Sequence, residues 1–337
     1  MLKLFQAGGV AAAASFLTGR DGAIDLPAAK TGGFGGGFFA VYVPSPMDLE
    51  FKFEEMTKDS YDLPLPDPID WEDAFSVVMA QAAILFDLEK RGALTVCRTA
   101  ADLRQTLDAG QIAAIFHIEG AEAIDPDLHT LEVLFQAGLR SLGPVWSRST
   151  IFGHGVPFRY PSTPDIGTGL TDHGLRLVKR CNELGVMIDL SHLNAAGFWD
   201  VARHSSMPLV ATHSNAHAIC PHSRNLTDKQ LKAIAESDGM VGLNFAVAFL
   251  RDDGKMLPEV SFEQMIRHLD HLIDMLGEDR VGFGSDYDGA IVPNDLTSCA
   301  GLPNLRAAMR QHGYDDALMR KLCQENWLRV LEKTWGR

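Results

Sequence analysis

Short runs of almost wholly apolar residues recur along the chain, separated by stretches of mixed character. GFFAVYV (37–43), IAAIFHI (112–118), LRSLGPV (139–145), VMIDLS (186–191), LVATH (209–213), MVGLNFAV (240–247) and RVGFGSD (280–286) do not alternate between apolar and polar positions. Continuous runs of this kind mark strands covered on both faces, the habit of parallel sheets. Between them lie helical patterns. Residues 71–92 place apolar side chains at three- and four-residue spacing and stop at Gly92. GLTDHGLRLVKRCNELG runs from an N-cap candidate, Thr171, to a C-cap candidate, Gly185. NLTDKQLKAIAESDG and SFEQMIRHLDHLIDMLG repeat that grammar, and 303–337 read as two closing helices. The alternation predicts an α/β fold, a TIM-type (β/α)8 barrel. Only seven strands can be read, and nothing ahead of residue 37 looks like the missing first one. The segment 44–68 is acidic, proline-rich and aperiodic, which predicts a surface excursion rather than a linker.

Composition narrows the function classes. At 337 residues and 46% hydrophobic, the chain can bury one large core, so 1–337 is expected to be a single domain. Thirty basic against forty-four acidic residues give a net charge of −14, which argues against a nucleic-acid partner. No apolar run is long enough to predict a transmembrane helix. Cys97, Cys181, Cys220, Cys299 and Cys323 are odd in number and lack a CxxC pair, suggesting reduced thiols and a cytoplasmic protein. The opening MLKLFQAGGVAAAASFLTG loosely imitates a signal peptide but is broken by Gly8 and Gly9, so a periplasmic location is the lesser reading.

The ends of four strands carry the chemistry. Glu119, His192, His213 and Asp286 each follow an apolar run, and parallel barrels gather their reactive groups at the carboxyl ends of their strands. A lone histidine at such a place is more often a packed core residue than a ligand. One carboxylate and two imidazoles placed in the same way suit zinc or a similar divalent ion. A buried carboxylate at Glu119 would also be costly without a cation. Asp286, in GSDYDG, is either a turn-capping aspartate or a general base, with Asp288 the more structural of the two. Arg224 is either a surface arginine or a bidentate clamp for a substrate carboxylate. His117, His154, His217 and His222 are weaker candidates and stay outside the set.

At these residues the chain resembles the membrane (renal) dipeptidase family, a branch of the metal-dependent amidohydrolase barrels. The resemblance runs from about GGFGGGFFAVYVPSP to the final helices. It rests on the order of IEGAEAI, LVKRCNELGVMIDLSHLN, LVATHSNAHAICPHSRNLTD, GMVGLNF and VGFGSDYDG. It implies that Glu119 bridges two zinc ions, that His192 and His213 complete one of them, that Asp286 shuttles protons and that Arg224 holds a dipeptide's C-terminal carboxylate. Two departures stand out. The family's first-strand His-x-Asp has no counterpart: DGAID (21–25) would put Ala23 where the histidine belongs, and MLKLF matches the helix that follows the motif. The first strand and its two ligands are therefore expected to lie outside this chain. Trp146, in GPVWSRS, stands where many members carry a histidine, leaving an N–H donor but no base, with His154 a conceivable stand-in.

The resemblance implies a zinc-dependent dipeptidase that hydrolyses free dipeptides by a metal-bound hydroxide and tolerates a C-terminal D-residue, with Trp146 and Arg224 on the substrate. The family binds two zinc ions, whereas the ligands here suffice for one. The chief alternative is thus a metal-poor, weakly active or inactive homologue on the same barrel, lacking or replacing its first strand. Other amidohydrolase chemistry, such as deamination or lactone hydrolysis, and a non-enzymatic interaction module are further alternatives. An open barrel would expose strand edges, to be covered by a homodimer partner or by N-terminal residues.

Overall fold

All seven predicted strands form: Gly36–Tyr42, Ala113–Glu119, Leu139–Gly143, Met187–Ile188, Val210–Ala211, Met240–Asn244 and Val281–Gly284. The structure, a computed structural model, describes residues 1–45 and 53–336. Each strand is a parallel neighbour of the next in chain order. A single parallel bridge, Asp189 to Val210, joins the first four strands to the last three. A short strand, Thr95–Val96, adds to the start of Ala113–Glu119. The order never reverses, so the sheet winds in one sense as a barrel does and lacks the switch point of a doubly wound sheet. Register sets Tyr42, Glu119 and Gly143 level at the carboxyl ends.

The helices begin and end where their caps direct. Thr171 accepts a hydrogen bond from Gly174 N to open Asp172–Leu184, and Gly185 closes it in a left-handed conformation. Capping boxes open Asp228–Glu236 at Thr227 and Phe262–Leu276 at Ser261. One cluster of buried apolar side chains runs from Leu4 to Leu322.

Ahead of Gly36 the described residues contain no strand. Leu2–Gln6 and Ala14–Thr18 are α-helices joined by a 3-10 turn, Gly9–Ala13. Leu4, Ala13 and Phe16 are buried, and the segment packs on the Trp71–Lys90 helix. It touches both ends of the strand series. The Met1 amine donates to Ala40 O at 3.2 Å on the first strand. Beyond the last strand, Asp288 accepts from Ala23 N at 2.8 Å and pairs with Arg20 and Lys3. Asp288 is therefore more than a turn residue: it ties residues 20–23 to the loop that carries Asp286.

The expected surface excursion, 44–68, falls in part outside the described residues. Within 53–68, Met56, Tyr61 and Leu63 are buried. Tyr61–Asp62 pairs antiparallel with Arg159–Tyr160, and Tyr61 Oη donates to Gly254 O at 2.6 Å. This part packs inward because its few large apolar side chains have no periodic pattern to reveal them but still gain by leaving water.

Two glycines press the last three strands together. A Cβ on Gly242 would lie 2.1 Å from Thr212 O, and one on Gly284 would lie 1.8 Å from the same atom. Both contacts are with backbone, so a side chain forces the His213 and Asp286 strands apart. Gly284→Ala is expected to destabilise the protein by about 1–3 kcal/mol, as overpacking does, read from the urea midpoint; an unchanged midpoint would contradict this packing.

Candidate functional site

Glu119 is the last residue of its strand, and His192 and His213 lie just past theirs. The three strand ends bring three ligand atoms together. Glu119 Oε1 lies 3.2 Å from His192 Nε2 and 3.2 Å from His213 Nε2, and the two Nε2 atoms are 3.1 Å apart. His192 reaches this place with φ +68° and Asp286 with φ +55°. Left-handed backbone is uncommon outside glycine and costs free energy, so it persists only where surrounding contacts enforce it.

A polar layer behind the imidazoles fixes their orientation. Ser147 Oγ meets His192 Nδ1 at 2.8 Å. Thr212 Oγ1 meets His213 Nδ1 at 2.8 Å and donates its own proton to Asp189 Oδ2 at 2.5 Å. A hydroxyl has one proton, so toward His213 the Thr212 oxygen accepts, and Nδ1 must carry the hydrogen. Once its Nε2 proton is given up, the ring turns the Nε2 lone pair into the cluster, as a metal-ligating histidine requires. Asp189 also accepts from the backbone N–H groups of Ser191 and Thr212. Burial works against its charge, but His213, His117 and these hydrogen bonds hold its carboxyl below the usual range.

The charges of the cluster pull in opposite directions. Burial pushes the Glu119 carboxyl upward, yet hydrogen bonds from His192 and His213 outweigh it and hold it well below normal. Burial and the nearby Arg224 charge push His192 down to about 3. For His213 burial is outweighed by the Glu119 hydrogen bond and the Asp286 charge, and its pKa rises. Three lone-pair donors crowded in this way suit a divalent cation of intermediate softness.

Asp286 stands beside the cluster, with Oδ2 accepting from Asn244 Nδ2 at 3.1 Å. Burial first, then the Glu119 charge, raise its pKa. Asn244 is itself held by reciprocal bonds with Asn215. Arg224 is buried, contrary to a surface role. Its guanidinium donates to His213 O at 3.2 Å and sits 5.4 Å from the centre of the Phe249 ring. Nε has no partner, and no carboxylate pairs with Arg224 among the described residues. Burial lowers its pKa to about 10, so it stays charged at neutral pH. Trp146 lies over His192, ring centres 5.5 Å apart, and edges Tyr42 at 5.2 Å.

The weaker histidines divide. His117 is buried against Ser141 Oγ at 2.9 Å with Asp189 behind it, as part of the supporting layer. His154 meets Ser149 Oγ at 3.3 Å, and no hydrogen bond or ion pair joins it to the cluster among the described residues. His217 meets Ser162 O at 2.8 Å. His222 is fully buried beside Arg224. A second group of potential ligands, Asp125, Asp127 and His129, is mostly exposed, and Asp125 is occupied in capping the helix His129–Ala137. Ser147, Asp189, Thr212 and Asn244 escaped the sequence reading. Asp189 had a signal, an acid inside an apolar strand; the others are small polar residues of kinds common in loops.

A family model described as membrane dipeptidase (peptidase family M19) matches residues 2–335. An uncharacterized protein in the pqqA 5' region of Klebsiella pneumoniae is 46% identical over 271 residues, covering 80% of this chain and 98% of that protein. The crystal structure of a metallopeptidase from Rhodobacter sphaeroides, liganded with a phosphinate mimic of the dipeptide L-Ala-D-Ala, superposes with a TM-score of 0.97. It is 55% identical, with 99% of this chain and 96% of that one covered. The probable dipeptidase PvdM from Pseudomonas aeruginosa, 21% identical with a TM-score of 0.80 over 94% of this chain and 90% of its own, shares the fold.

Proposed function

The chain belongs to the membrane dipeptidase family of metallopeptidases, and we propose that it hydrolyses free dipeptides, including those with a C-terminal D-residue, at the cluster of Glu119, His192 and His213. The observation that carries this reading is the meeting of three strand-end ligand atoms within 3.2 Å of one another, two from imidazoles and one from a carboxylate. These residues would hold the zinc ion. When bound, the ion supplies Lewis acidity, polarising the scissile carbonyl and making a water more acidic.

The remaining work falls to the chain's own side chains. Asp286 takes the proton of the attacking water on a carboxylate oxygen and passes it to the nitrogen of the leaving amine. Its raised pKa suits this, because the group must hold that proton between the two transfers. Asn244 keeps the accepting oxygen aimed. Arg224, charged and without a carboxylate partner among the described residues, binds the dipeptide's C-terminal carboxylate and so favours dipeptides over longer chains. Trp146 forms an aromatic wall beside His192 against which the substrate lies. Tolerance of a D-residue draws support from the L-Ala-D-Ala mimic bound by the Rhodobacter sphaeroides enzyme.

One observation favours a weaker enzyme as the second reading. Residues 2–18 are mostly helical and supply no His-x-Asp pair, so at the Glu119 cluster the described residues gather ligands for one ion rather than two. Zinc counting on the active protein separates the two readings.

The zinc-loaded protein is expected to split L-Ala-D-Ala into free alanines, and turnover of lactones or nucleobases with no dipeptide cleaved would overturn this reading. Asp286→Asn should lower kcat by roughly 10²–10⁴-fold while zinc content stays the same; retention of full kcat would remove Asp286 from the mechanism.

A further inference from the structure

His222 carries an unused hydrogen-bond donor next to Arg224. Its Nδ1 accepts the backbone N–H of Arg224 at 3.0 Å. Burial, then the Arg224 charge, push its pKa well below the ordinary histidine value, so the ring is neutral. A neutral imidazole that accepts at Nδ1 must carry its hydrogen on Nε2. That Nε2 is buried and has no hydrogen-bond partner. The Nε of Arg224 is in the same condition.

The two orphaned donors share one platform. The His222 ring lies 4.6 Å from the Phe249 ring, centre to centre, and the Arg224 guanidinium carbon lies 5.4 Å from the same ring. Phe158 connects this platform to the zinc-ligand candidate: its ring centre is 6.3 Å from His222 and 6.2 Å from His192. Tyr61, brought in by the buried part of the 53–68 segment, closes the other side of His222 at 5.8 Å. Buried donors are rarely left unmet, because each loses its water without compensation. Two of them on one aromatic ring, one cationic and one neutral, describe a site for a desolvated carboxylate.

We propose that His222 is a substrate-binding residue that donates its Nε2–H to the same C-terminal carboxylate held by Arg224, and so selects a free acid over an amide or ester. The inference rests on the dipeptidase reading. Arg224 supplies the charge; His222 supplies direction, since its proton is fixed on one nitrogen by the backbone bond on the other. A carboxylate accepts from both, whereas a terminal amide turns one N–H toward a donor and leaves it unmet.

The test uses the zinc-loaded protein, His222→Phe, which keeps a ring without the donor, and His222→Gln, which returns an N–H at similar reach. His222→Met replaces the phenylalanine variant if that one fails to fold. Steady-state kinetics are measured on L-Ala-D-Ala and on its C-terminal amide. Loss of the donor should raise KM for the free dipeptide roughly 10- to 100-fold, the worth of a hydrogen bond to a charged group. kcat should fall much less, and the preference for acid over amide should narrow by the same factor. His222→Gln should recover most of the loss. A KM within about twofold of the parent, or equal rises for acid and amide, would overturn the proposal and leave His222 a packing residue. Calorimetric binding of D-alanine against D-alaninamide, in the same proteins, gives a second readout that needs no turnover. If the parent protein cleaves no dipeptide, the dipeptidase reading fails by that result alone, and loss of D-alanine preference in His222→Phe still decides the role of His222.

Discussion

The constraint on which the structure depends is the crowding of Glu119, His192 and His213 around one small space. Two imidazole nitrogens 3.1 Å apart, each 3.2 Å from the same carboxylate oxygen, cannot all keep their lone pairs unmet away from water. A cation, or a proton in its stead, has to share that space. The strand ends, the left-handed backbone at His192 and Asp286, and the close contact of Gly242 and Gly284 with Thr212 O all serve to hold this arrangement. The strained conformations are stabilised elsewhere, by a core that extends over most of the chain.

Behind the cluster the polar groups are satisfied to a degree the cluster itself is not. Asp189 receives two backbone N–H groups and the Thr212 hydroxyl, and through that hydroxyl it sets the tautomer of His213. Asn215 and Asn244 exchange backbone and side-chain bonds and thereby present Asn244 to Asp286. A fully bonded layer of this kind is rigid, and rigidity is what keeps a ligand set within the small tolerances of metal coordination. Among the buried groups left unmet, Arg224 Nε and His222 Nε2 lie together on the Phe249 platform. The contrast separates what supports the site from what waits for a ligand.

Much of this was legible in the sequence. Continuous apolar runs gave all seven strands, and the caps at Thr171, Thr227 and Ser261 placed helix starts, because both signals act locally. Glu119, His192, His213 and Asp286 were visible as strand-end residues, and the structure brings them to one place. Less legible were features that depend on distant partners. Nothing in 53–68 announced that Met56, Tyr61 and Leu63 turn inward, since burial there comes from the distant strand Arg159–Tyr160 and the turn at Gly254. The attachment of Asp288 to residues 20–23 joins two ends of the chain, and its local sequence spoke only of a turn. In the sequence His222 is one of twelve histidines; its unmet donor emerges only when Arg224, Phe249 and Tyr61 stand around it.

The central claim is that Glu119 is the shared ligand of a single metal site with His192 and His213. Zinc titrated by calorimetry into the metal-free protein and into its Glu119→Gln variant tests it most directly. The account predicts tight binding to the parent and weakening by at least roughly 100-fold in the variant. Zinc bound as tightly by Glu119→Gln as by the parent would contradict it.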